Sequence, residues 1–302
     1  MAIFSPTGSA GRLRRAKKPL CALSNICRRI CRQRTYAAAQ RTIGPVAQAA
    51  SVRSKTLRSQ GVAEANANRL IAALPPRTQR TVLDSCDRVD LRFAAVLCDA
   101  GEPVERVYFP SDSVISLVTT LADGPRLEVG IIGHEGMLGT SALLGVGVAP
   151  QLAIVQGGGS ALSMGAAVFR RCCERDGDLR RVMNRYVHVL LEQMAQTAAC
   201  ALFHPVESRL ARWLLMTRQR VGNDRFHLTH EFLAYMLGVR RAGVTHAARS
   251  LHVRKLIDYR RGAITILDPS GLQRASCACY VRGNLIYRRT LGSARGGSRH
   301  RS

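Results

Sequence analysis

The chain has 302 residues, with 45 Lys or Arg against 20 Asp or Glu, and therefore a formal net charge of +25. Its hydrophobic fraction of 46% is enough for ordinary protein cores, and its length fits one large domain or two ordinary ones. Because no apolar stretch reaches the ~20 residues that cross a bilayer, we expect a cytoplasmic protein without a membrane partner. A basic balance of this size is typical of proteins that bind nucleic acid.

The excess positive charge is concentrated near the two termini. No acidic residue precedes Glu64 or follows Asp268, so net charge alone is a weak argument for a dedicated nucleic-acid site. Residues 1–60 lack sustained periodicity and are predicted to be a basic disordered extension. An organellar transit peptide or a start codon assigned too early are the alternatives. Residues 281–302 are predicted to be a basic disordered tail.

The ten cysteines do not follow the spacing of a secreted disulfide framework. Two of them are adjacent, Cys172 and Cys173, and two are separated by one residue, Cys277 and Cys279. We expect reduced thiols, and the sequence predicts no metal site.

Short β-favouring runs separated by glycine turns dominate from Val89 to Met164. Two helices, over 63–74 and 77–86, are predicted to precede these runs. The predicted strands cover 107–109, 114–120, 127–132, 152–156 and 161–164, with a turn over 122–125. Many short strands at close spacing predict an antiparallel β-roll, resembling a jelly roll, over residues 61–175.

The hydrophobic period changes at residues 176–204, which are predicted to form one long dimerisation helix. Positions along it recur at alternating spacings of four and three, as in a heptad seam. The β-roll would then be contacted by neighbouring residues of the helix, namely Val182, Val187, Val189 and Leu191. The alternative is that the seam itself is intramolecular core, which is the more common role of an apolar helix stripe. The seam predicts a homodimer interface formed by Leu179, Met183, Tyr186, Leu190, Gln193 and Thr197, followed by Cys200.

Residues 228–239 carry the most specific local pattern in the chain. It follows a hinge at Pro205 and an amphipathic helix that buries Leu210, Trp213, Leu214 and Thr217. Thr229 is a suitable helix N-cap, and Gly238 stands where a tight turn needs a left-handed residue. A second helix is predicted from Arg240 to Ser250. The pattern predicts a helix-turn-helix, with an ordinary corner between two helices as the alternative.

Residues 256–267 predict two strands around an Arg-Gly turn, and a hairpin after a recognition helix is the winged form of the motif. The winged helix-turn-helix would occupy residues 205–280. Arginine can bind guanine in the major groove, and arginines of a wing reach phosphates. The predicted DNA contacts are Thr229, Arg240, Arg241, Ala242, Thr245, His246, Arg249, Arg260 and Arg261.

In this order of parts the chain resembles the Crp/Fnr family of bacterial transcription regulators over residues 68–280. The most specific stretches are 101–103, 107–109, 133–139, 206–211 and 228–267. The resemblance implies an α+β fold with a cyclic-nucleotide-binding-like β-roll, a long dimerisation helix and a winged helix-turn-helix. It also implies a homodimer on a two-fold-symmetric operator of double-stranded DNA, an effector domain, and RNA polymerase as a further candidate partner.

The chain departs from the family's cyclic-nucleotide site. Gly136-Met137 stands in place of the Gly-Glu pair that holds the ribose, and Pro150-Gln151 in place of the Arg-Ser pair that holds the phosphate. Met194-Ala195 replaces the Thr-Ser contact of the long helix. Because a buried phosphate needs a cation, we expect no cyclic nucleotide to bind.

Two further family features are altered. Cys21, Cys27 and Cys31 have a wider spacing than the cluster ligands of the oxygen sensors, and a fourth ligand such as Cys98 would be distant, so no iron–sulfur cluster is expected. The family's base-contacting positions correspond to Arg240, Arg241, Ala242 and His246. Ala242 stands where many members have Glu, so the usual target sequence is not assumed.

Together these patterns predict a homodimeric, sequence-specific transcription regulator. We expect no catalysis, because His134, Glu135 and Asp112 are scattered and form no acid–base or nucleophile set. One alternative is a ligand-binding signalling module or enzyme regulator that merely contains a helical corner. Another is a protein whose basic tails bind nucleic acid without sequence preference.

Overall fold

The structure, a computed structural model, describes residues 68–121, 126–260 and 262–292. All of them lie in the unit that spans Pro45–Ser302. The predictions for residues 1–60, for the start of the first helix, for the turn at 122–125 and for Arg261 fall outside the described residues. None of the helices within the described ranges combines the length and the apolar character that crossing a membrane requires.

The first half of the described chain is the predicted antiparallel β-roll. Two helices open it, α1 (Arg69–Ala72) and α2 (Pro76–Asp84). One three-stranded sheet has the order β1-β7-β3, and one four-stranded sheet has the order β2-β6-β4-β5. The strands are β1 (Asp87–Leu91), β2 (Val96–Cys98), β3 (Arg106–Pro110), β4 (Val114–Thr120), β5 (Arg126–Ile132), β6 (Leu152–Gly157) and β7 (Gly159–Gly165). The predicted strands are confirmed, and β1 and β2 are additions.

Strand β4 explains why the roll and the C-terminal half share a core. Side chains alternate between the two faces of a strand, and both faces of β4 are buried. Ile115 and Leu117 point into the roll, whereas Val114 and Val118 pack with the C-terminal half. A strand buried on both faces is rich in apolar β-branched residues, which is why the sequence of β4 predicted a strand.

Three helices follow or interrupt the roll: α3 (Thr140–Leu143), α4 (Ala166–Arg175) and the long helix α5 (Gly177–Phe203). Asp176 caps α5, because its carboxylate accepts hydrogen bonds from the backbone N–H groups of Asp178 at 2.9 Å and Leu179 at 3.0 Å. The helix ends ahead of Pro205 and covers the segment predicted for it. Helices α3 and α4 were not predicted.

The structure corrects the predicted dimer seam on α5. Leu179, Met183, Tyr186 and Leu190 are buried in the protomer's own core, where they pack with side chains of the β-roll. They are therefore unavailable to a partner, and Gln193 and Thr197 are half-buried. Leu191, which was predicted to face the roll, is 61% exposed. Val182 and Val189 do pack on the roll as predicted. The correction therefore concerns the seam residues, which are core, and Leu191, which is exposed.

The second half of the chain contains four helices before its last helix, and a small sheet of order β8-β10-β9. Its elements are α6 (Val206–Val221), β8 (Arg225–His227), α7 (His230–Leu237), α8 (Arg241–Val253), β9 (Ile257–Arg260), β10 (Ala263–Ile266) and α9 (Pro269–Ala275). The predicted helix-turn-helix and its hairpin are confirmed, and β8 adds a third strand to the wing. All four apolar positions predicted for α6 are buried.

The last helix, α10 (Cys279–Leu291), corrects the prediction of a disordered tail from residue 281. It packs along α5. The hydroxyl of Tyr287 donates a hydrogen bond to the backbone oxygen of Glu135 at 2.9 Å, and Leu291 is buried in the core of the roll. Sequence analysis missed this helix because its charge is entirely basic, a composition that it shares with disordered tails.

Candidate nucleic-acid interface

The turn between α7 and α8 has the geometry that its sequence predicts. The hydroxyl of Thr229 accepts a hydrogen bond from the backbone N–H of Phe232 at 3.1 Å and so caps α7. Gly238 ends that helix in the left-handed region, with φ of +61°. A Cβ at this position would also lie 3.1 Å from the side chain of Leu127, so both conformation and space require glycine.

Helix α8 has one buried and one exposed face. Val244, Ala247, Ala248 and Leu251 are buried in the core of the C-terminal half. The opposite face holds the residues predicted to contact bases, and every one of them is exposed: Arg241, Ala242, Thr245, His246 and Arg249. Arg240 immediately precedes the helix and is exposed too. This exposed face is called the recognition face below.

His230 is a residue of this interface that sequence analysis missed. Its Nδ1 lies 3.0 Å from the hydroxyl of Thr245, and its ring stacks on Tyr259 of the wing with centroids 4.2 Å apart. Burial, together with the nearby charge of Arg241, lowers the pKa of His230. A neutral ring thus connects the recognition helix to the wing. No local pattern marks such a residue, because its partners lie 15 and 29 positions further along the chain.

The wing places a basic side chain beside the recognition helix. Its two strands pair antiparallel, and Gly262 turns the chain with φ of +79°. The side chain of Arg260 is 83% exposed, and its Nε lies 3.2 Å from the Asp258 carboxylate. Arg261 lies outside the described residues. Residues 206–275 hold thirteen Lys or Arg and five Asp or Glu, so positive charge is also concentrated in this domain and not only in the tails.

The helix-turn-helix also contacts the β-roll. The rings of Phe93 and Phe232 have centroids 6.2 Å apart, and the guanidinium of Arg126 lies over the ring of Tyr235 at 5.1 Å. These contacts use α7 and leave the recognition face of α8 uncovered by the protomer. The roll therefore fixes the position of the motif without blocking its exposed helix.

A buried polar network joins the roll to α6. Glu128 on β5 accepts hydrogen bonds from the indole N–H of Trp213 at 2.8 Å and from the hydroxyl of Ser116 at 2.6 Å. The amide of Gln156 donates to the hydroxyl of Thr217 at 3.0 Å. Burial raises the pKa of Glu128 to about 7, because its effect exceeds that of the hydrogen bonds from Ser116 and Trp213, which lower the pKa by favouring the charged form.

Stability is therefore expected to depend on the ionisation of Glu128. Because its folded pKa is raised from 4.5 to about 7, its stabilising contribution is complete below pH ~4.5 and is lost as pH rises to about 7. The loss is on the order of 3 kcal/mol. The free energy of unfolding of Glu128→Gln, measured in urea, should rise relative to that of the wild type by about this amount between pH 4.5 and pH 8. An unchanged difference at the two pH values would contradict the assignment, and Glu231→Gln, at an exposed position, is the matched control.

A buried ion pair makes a second link between the two halves. The guanidinium of Arg220 on α6 lies 2.8 Å from the Glu135 carboxylate, and these side chains are only 7% and 13% exposed. Arg220 also donates to the backbone oxygen of Met216 at 2.9 Å. Glu135, which looked like an isolated polar residue in the sequence, thus connects the loop after β5 to α6.

The β-roll contains a cavity of about 630 Å³ beside α5. Pro150, Gln151 and Met194, which replace the family's nucleotide contacts, line it. Arg106 is its one lysine or arginine among the described lining residues. Its guanidinium is already bound to Asp87 at 2.9 Å and to Ser163 at 2.9 Å. Within the described chain, the cavity therefore offers no unpaired cation for a phosphate.

A capped first helix, a glycine turn and an exposed basic second helix beside a hairpin are the parts with which winged helix-turn-helix domains bind DNA. Comparison with protein families agrees: residues 208–275 match the Crp-like helix-turn-helix domain. No curated protein sequence gave a match.

Solved structures extend this similarity to the β-roll. FixK2 from Bradyrhizobium japonicum is 15% identical with a TM-score of 0.54, and the match covers 64% of this chain and 98% of FixK2. A Crp/Fnr-family regulator from Eubacterium rectale is 17% identical with a TM-score of 0.55, over 69% and 99% of the two chains. The c-di-GMP-responsive regulator CLP of Xanthomonas campestris is 14% identical with a TM-score of 0.53, over 64% and 99%. The chain has the Crp/Fnr fold and a Crp-like helix-turn-helix domain, which confirms the resemblance inferred from its sequence.

Proposed function

We propose that the protein is a cytoplasmic, homodimeric transcription regulator that binds specific sites in double-stranded DNA. The observation that carries this proposal is the recognition face of α8. The apolar face of this helix is buried in the domain core, and the opposite face exposes Arg241, Thr245, His246 and Arg249. Such a helix fits the major groove, where arginine binds the O6 and N7 atoms of guanine. Regulation requires no chemistry by the protein, and RNA polymerase is the partner through which it would act.

The wing supports the same proposal through the phosphate backbone. Arg260 is exposed at the end of β9, a strand that packs against α8, and would contact phosphates, which fix the register but carry no base information. Ala242, with its single methyl group, would contact a thymine methyl rather than accept from a base. The preferred site should therefore differ from those of family members that have a glutamate here.

Selection of bound fragments from a random duplex pool by the full-length protein tests this function. A homodimer predicts two inverted half-sites whose centres are about one helical turn, or 34–36 Å, apart. Failure to enrich any sequence would contradict the proposal and favour the alternative of a signalling module. Enrichment of a single asymmetric site would contradict the homodimer while leaving DNA recognition intact.

The corrected dimer interface lies on the exposed side of α5. Apolar or small residues that the protomer leaves exposed or only partly buried recur there at spacings of three and four. Among them Leu191 and Leu202 are 61% and 76% exposed, and the adjoining Phe203 at the end of α5 is 75% exposed. An uncovered apolar stripe along a 27-residue helix suits a second copy of the same helix. The stripe consists of Val187, Leu191, Met194, Ala198, Ala201 and Leu202.

Adjacent leucines allow a matched test of this interface. Leu191→Glu should give a folded monomer, because the charge lies on an exposed face that is buried only by the partner. Leu190→Glu should instead lower the free energy of unfolding by several kcal/mol, because Leu190 is buried within the protomer. Light scattering reports mass and thermal unfolding reports stability. A dimer that persists in Leu191→Glu would place the interface elsewhere.

The cavity of the β-roll is the proposed effector site. Arg106, the lysine or arginine that lines this cavity in the described chain, is paired with Asp87. Glu102 and Glu105 also line the cavity, so an anionic cyclic nucleotide or cyclic dinucleotide is disfavoured. CLP responds to c-di-GMP, but this chain shares 14% identity with it. A neutral or cationic small molecule fits the cavity better.

A further inference from the structure

Four potential metal ligands meet where α5 ends and α10 begins. The ligand atoms of Cys200, His204, Cys277 and Cys279 all lie within 4.8 Å of one another. The sulfur atoms of Cys200 and Cys277 are 3.5 Å apart, and the sulfur of Cys279 is 3.5 Å from Nδ1 of His204. The three thiols are buried and the imidazole is half-buried. Four donors thus converge from two segments that are more than 70 residues apart in sequence.

The two 3.5 Å distances are close to the edges of a tetrahedral site, and all four ligand atoms lie within 4.8 Å of one another. A zinc–sulfur bond of 2.3 Å sets the sulfur–sulfur edge of a tetrahedron at about 3.8 Å, and an edge to a histidine nitrogen is slightly shorter. We propose that Cys200, His204, Cys277 and Cys279 bind a single Zn²⁺ ion as a structural Cys₃His site. With four protein ligands the coordination shell is complete, which is typical of structural rather than catalytic zinc.

The surroundings of the cluster match the charge of such a site. Three thiolates, a neutral imidazole and Zn²⁺ sum to one negative charge, which is costly to bury alone. Arg212 is buried nearby and donates to the hydroxyl of Thr197 at 3.1 Å. Its Nε has no hydrogen-bond partner among the described residues. A negatively charged zinc centre would balance this guanidinium.

A second donor is directed at the cluster. The side-chain amide of Gln196 lies 3.0 Å from the sulfur of Cys279. Hydrogen bonds to coordinated thiolates from neighbouring groups are typical of metal sites, because they stabilise charge on sulfur and orient the ligand. Gln196 and Cys200 are four residues apart on α5, so one face of this helix supplies both a ligand and a donor to a ligand.

A mononuclear ion fits the cluster better than the other chemistry of cysteines. An iron–sulfur cluster lies between its ligands and spreads them further apart than these atoms are. A Cys200–Cys277 disulfide would use two sulfurs and leave Cys279 and His204 without a role. Only a single tetrahedral ion uses all four donors.

Zinc at this site would cross-link the hinge. Cys200 and His204 stand at the end of α5, just before Pro205, whereas the other two ligands follow α9 at the start of α10. The ligands therefore flank the Crp-like domain, residues 208–275, on both sides. The ion would hold the base of this domain to the long helix. This inference does not depend on DNA binding.

Metal content of the untagged full-length protein tests the proposal. Protein purified without chelator should contain one zinc per chain by mass spectrometry of metals. After removal of zinc, titration with Co²⁺ should give the visible absorption of tetrahedral cobalt and the near-ultraviolet charge-transfer band of cobalt bound to thiolates. Cys277→Ser combined with Cys279→Ser should abolish both. Cys172→Ser, which removes a thiol outside the cluster, should retain both.

His204→Ala separates the histidine from the thiolates. It should retain the charge-transfer band but change the visible absorption and weaken Co²⁺ binding, because one nitrogen ligand is replaced by water. The proposal would be overturned if the wild-type protein bound neither Zn²⁺ nor Co²⁺, or if the double serine variant retained its full metal content. A Cys200–Cys277 disulfide in protein prepared without oxygen would overturn it too. These readouts are independent of operator binding, so failure here leaves the proposed function untouched.

Discussion

Replacement of both Arg240 and Arg241 by alanine is expected to lower affinity for the preferred duplex by about 100-fold or more. Both residues are exposed at the start of the recognition helix, and a good bidentate contact to guanine contributes ~1–3 kcal/mol of discrimination. Affinity for random duplex should fall much less, because nonspecific binding depends on the whole set of phosphate contacts. Fluorescence anisotropy with labelled selected and random duplexes measures both quantities.

Two single-arginine variants control this prediction. Arg274→Ala removes one positive charge from α9 of the same domain and should change affinity for either duplex only slightly. Arg260→Ala should weaken binding to all sequences similarly and reduce the salt slope by ~1, because a phosphate contact releases a counterion. If the double variant bound the selected duplex as tightly as the wild type does, these two arginines of the recognition helix would not contact the bases.

Removal of Glu135 has the largest expected effect on stability. Glu135→Ala should lower the free energy of unfolding by roughly 3–5 kcal/mol, because it leaves the charge of Arg220 buried without its partner. Both side chains are almost fully inaccessible, so water cannot replace the lost carboxylate. Urea unfolding followed by circular dichroism at fixed pH measures the change.

The exposed pair of Arg181 and Asp178 provides the comparison. Their atoms approach to 2.7 Å, yet Arg181→Ala should change stability by no more than ~0.5 kcal/mol, because water screens the pair. Replacing Arg220 by methionine together with Glu135→Ala should recover part of the loss, since no unpaired charge remains. A cost below about 1 kcal/mol for Glu135→Ala alone would mean that Arg220 reaches solvent or another partner.

The recognition helix could be predicted because its determinants are local. The Thr229 cap, the left-handed Gly238 and the apolar spacing of α8 all act within a few residues, so a single sequence contains them. The β-roll was predictable for a related reason. Short β-branched, largely apolar runs bounded by polar or turn residues admit few other structures, and the confirmed strand β4 is an example.

Features that depend on tertiary neighbours could not be predicted in the same way. The heptad stripe of α5 was recognised, but its period does not say whether Leu190 or Leu191 faces the β-roll, because only the tertiary contacts of the helix decide which side is covered. Cys277 and Cys279 were noticed as a pair, yet their other two neighbours come from the end of α5. His230 shows the same limit, since it acquires its role from Thr245 and Tyr259 only after folding.

The central claim is that the protein distinguishes one DNA sequence from others through α8, and the ratio of two affinities tests it most directly. At ~150 mM salt, the full-length protein and a form lacking residues 1–60 should both bind the selected duplex at least 10³-fold more tightly than random duplex. A ratio near one in both proteins would contradict the claim. A preference that disappears with residues 1–60 would contradict it too, because it would assign DNA recognition to the basic N-terminal segment.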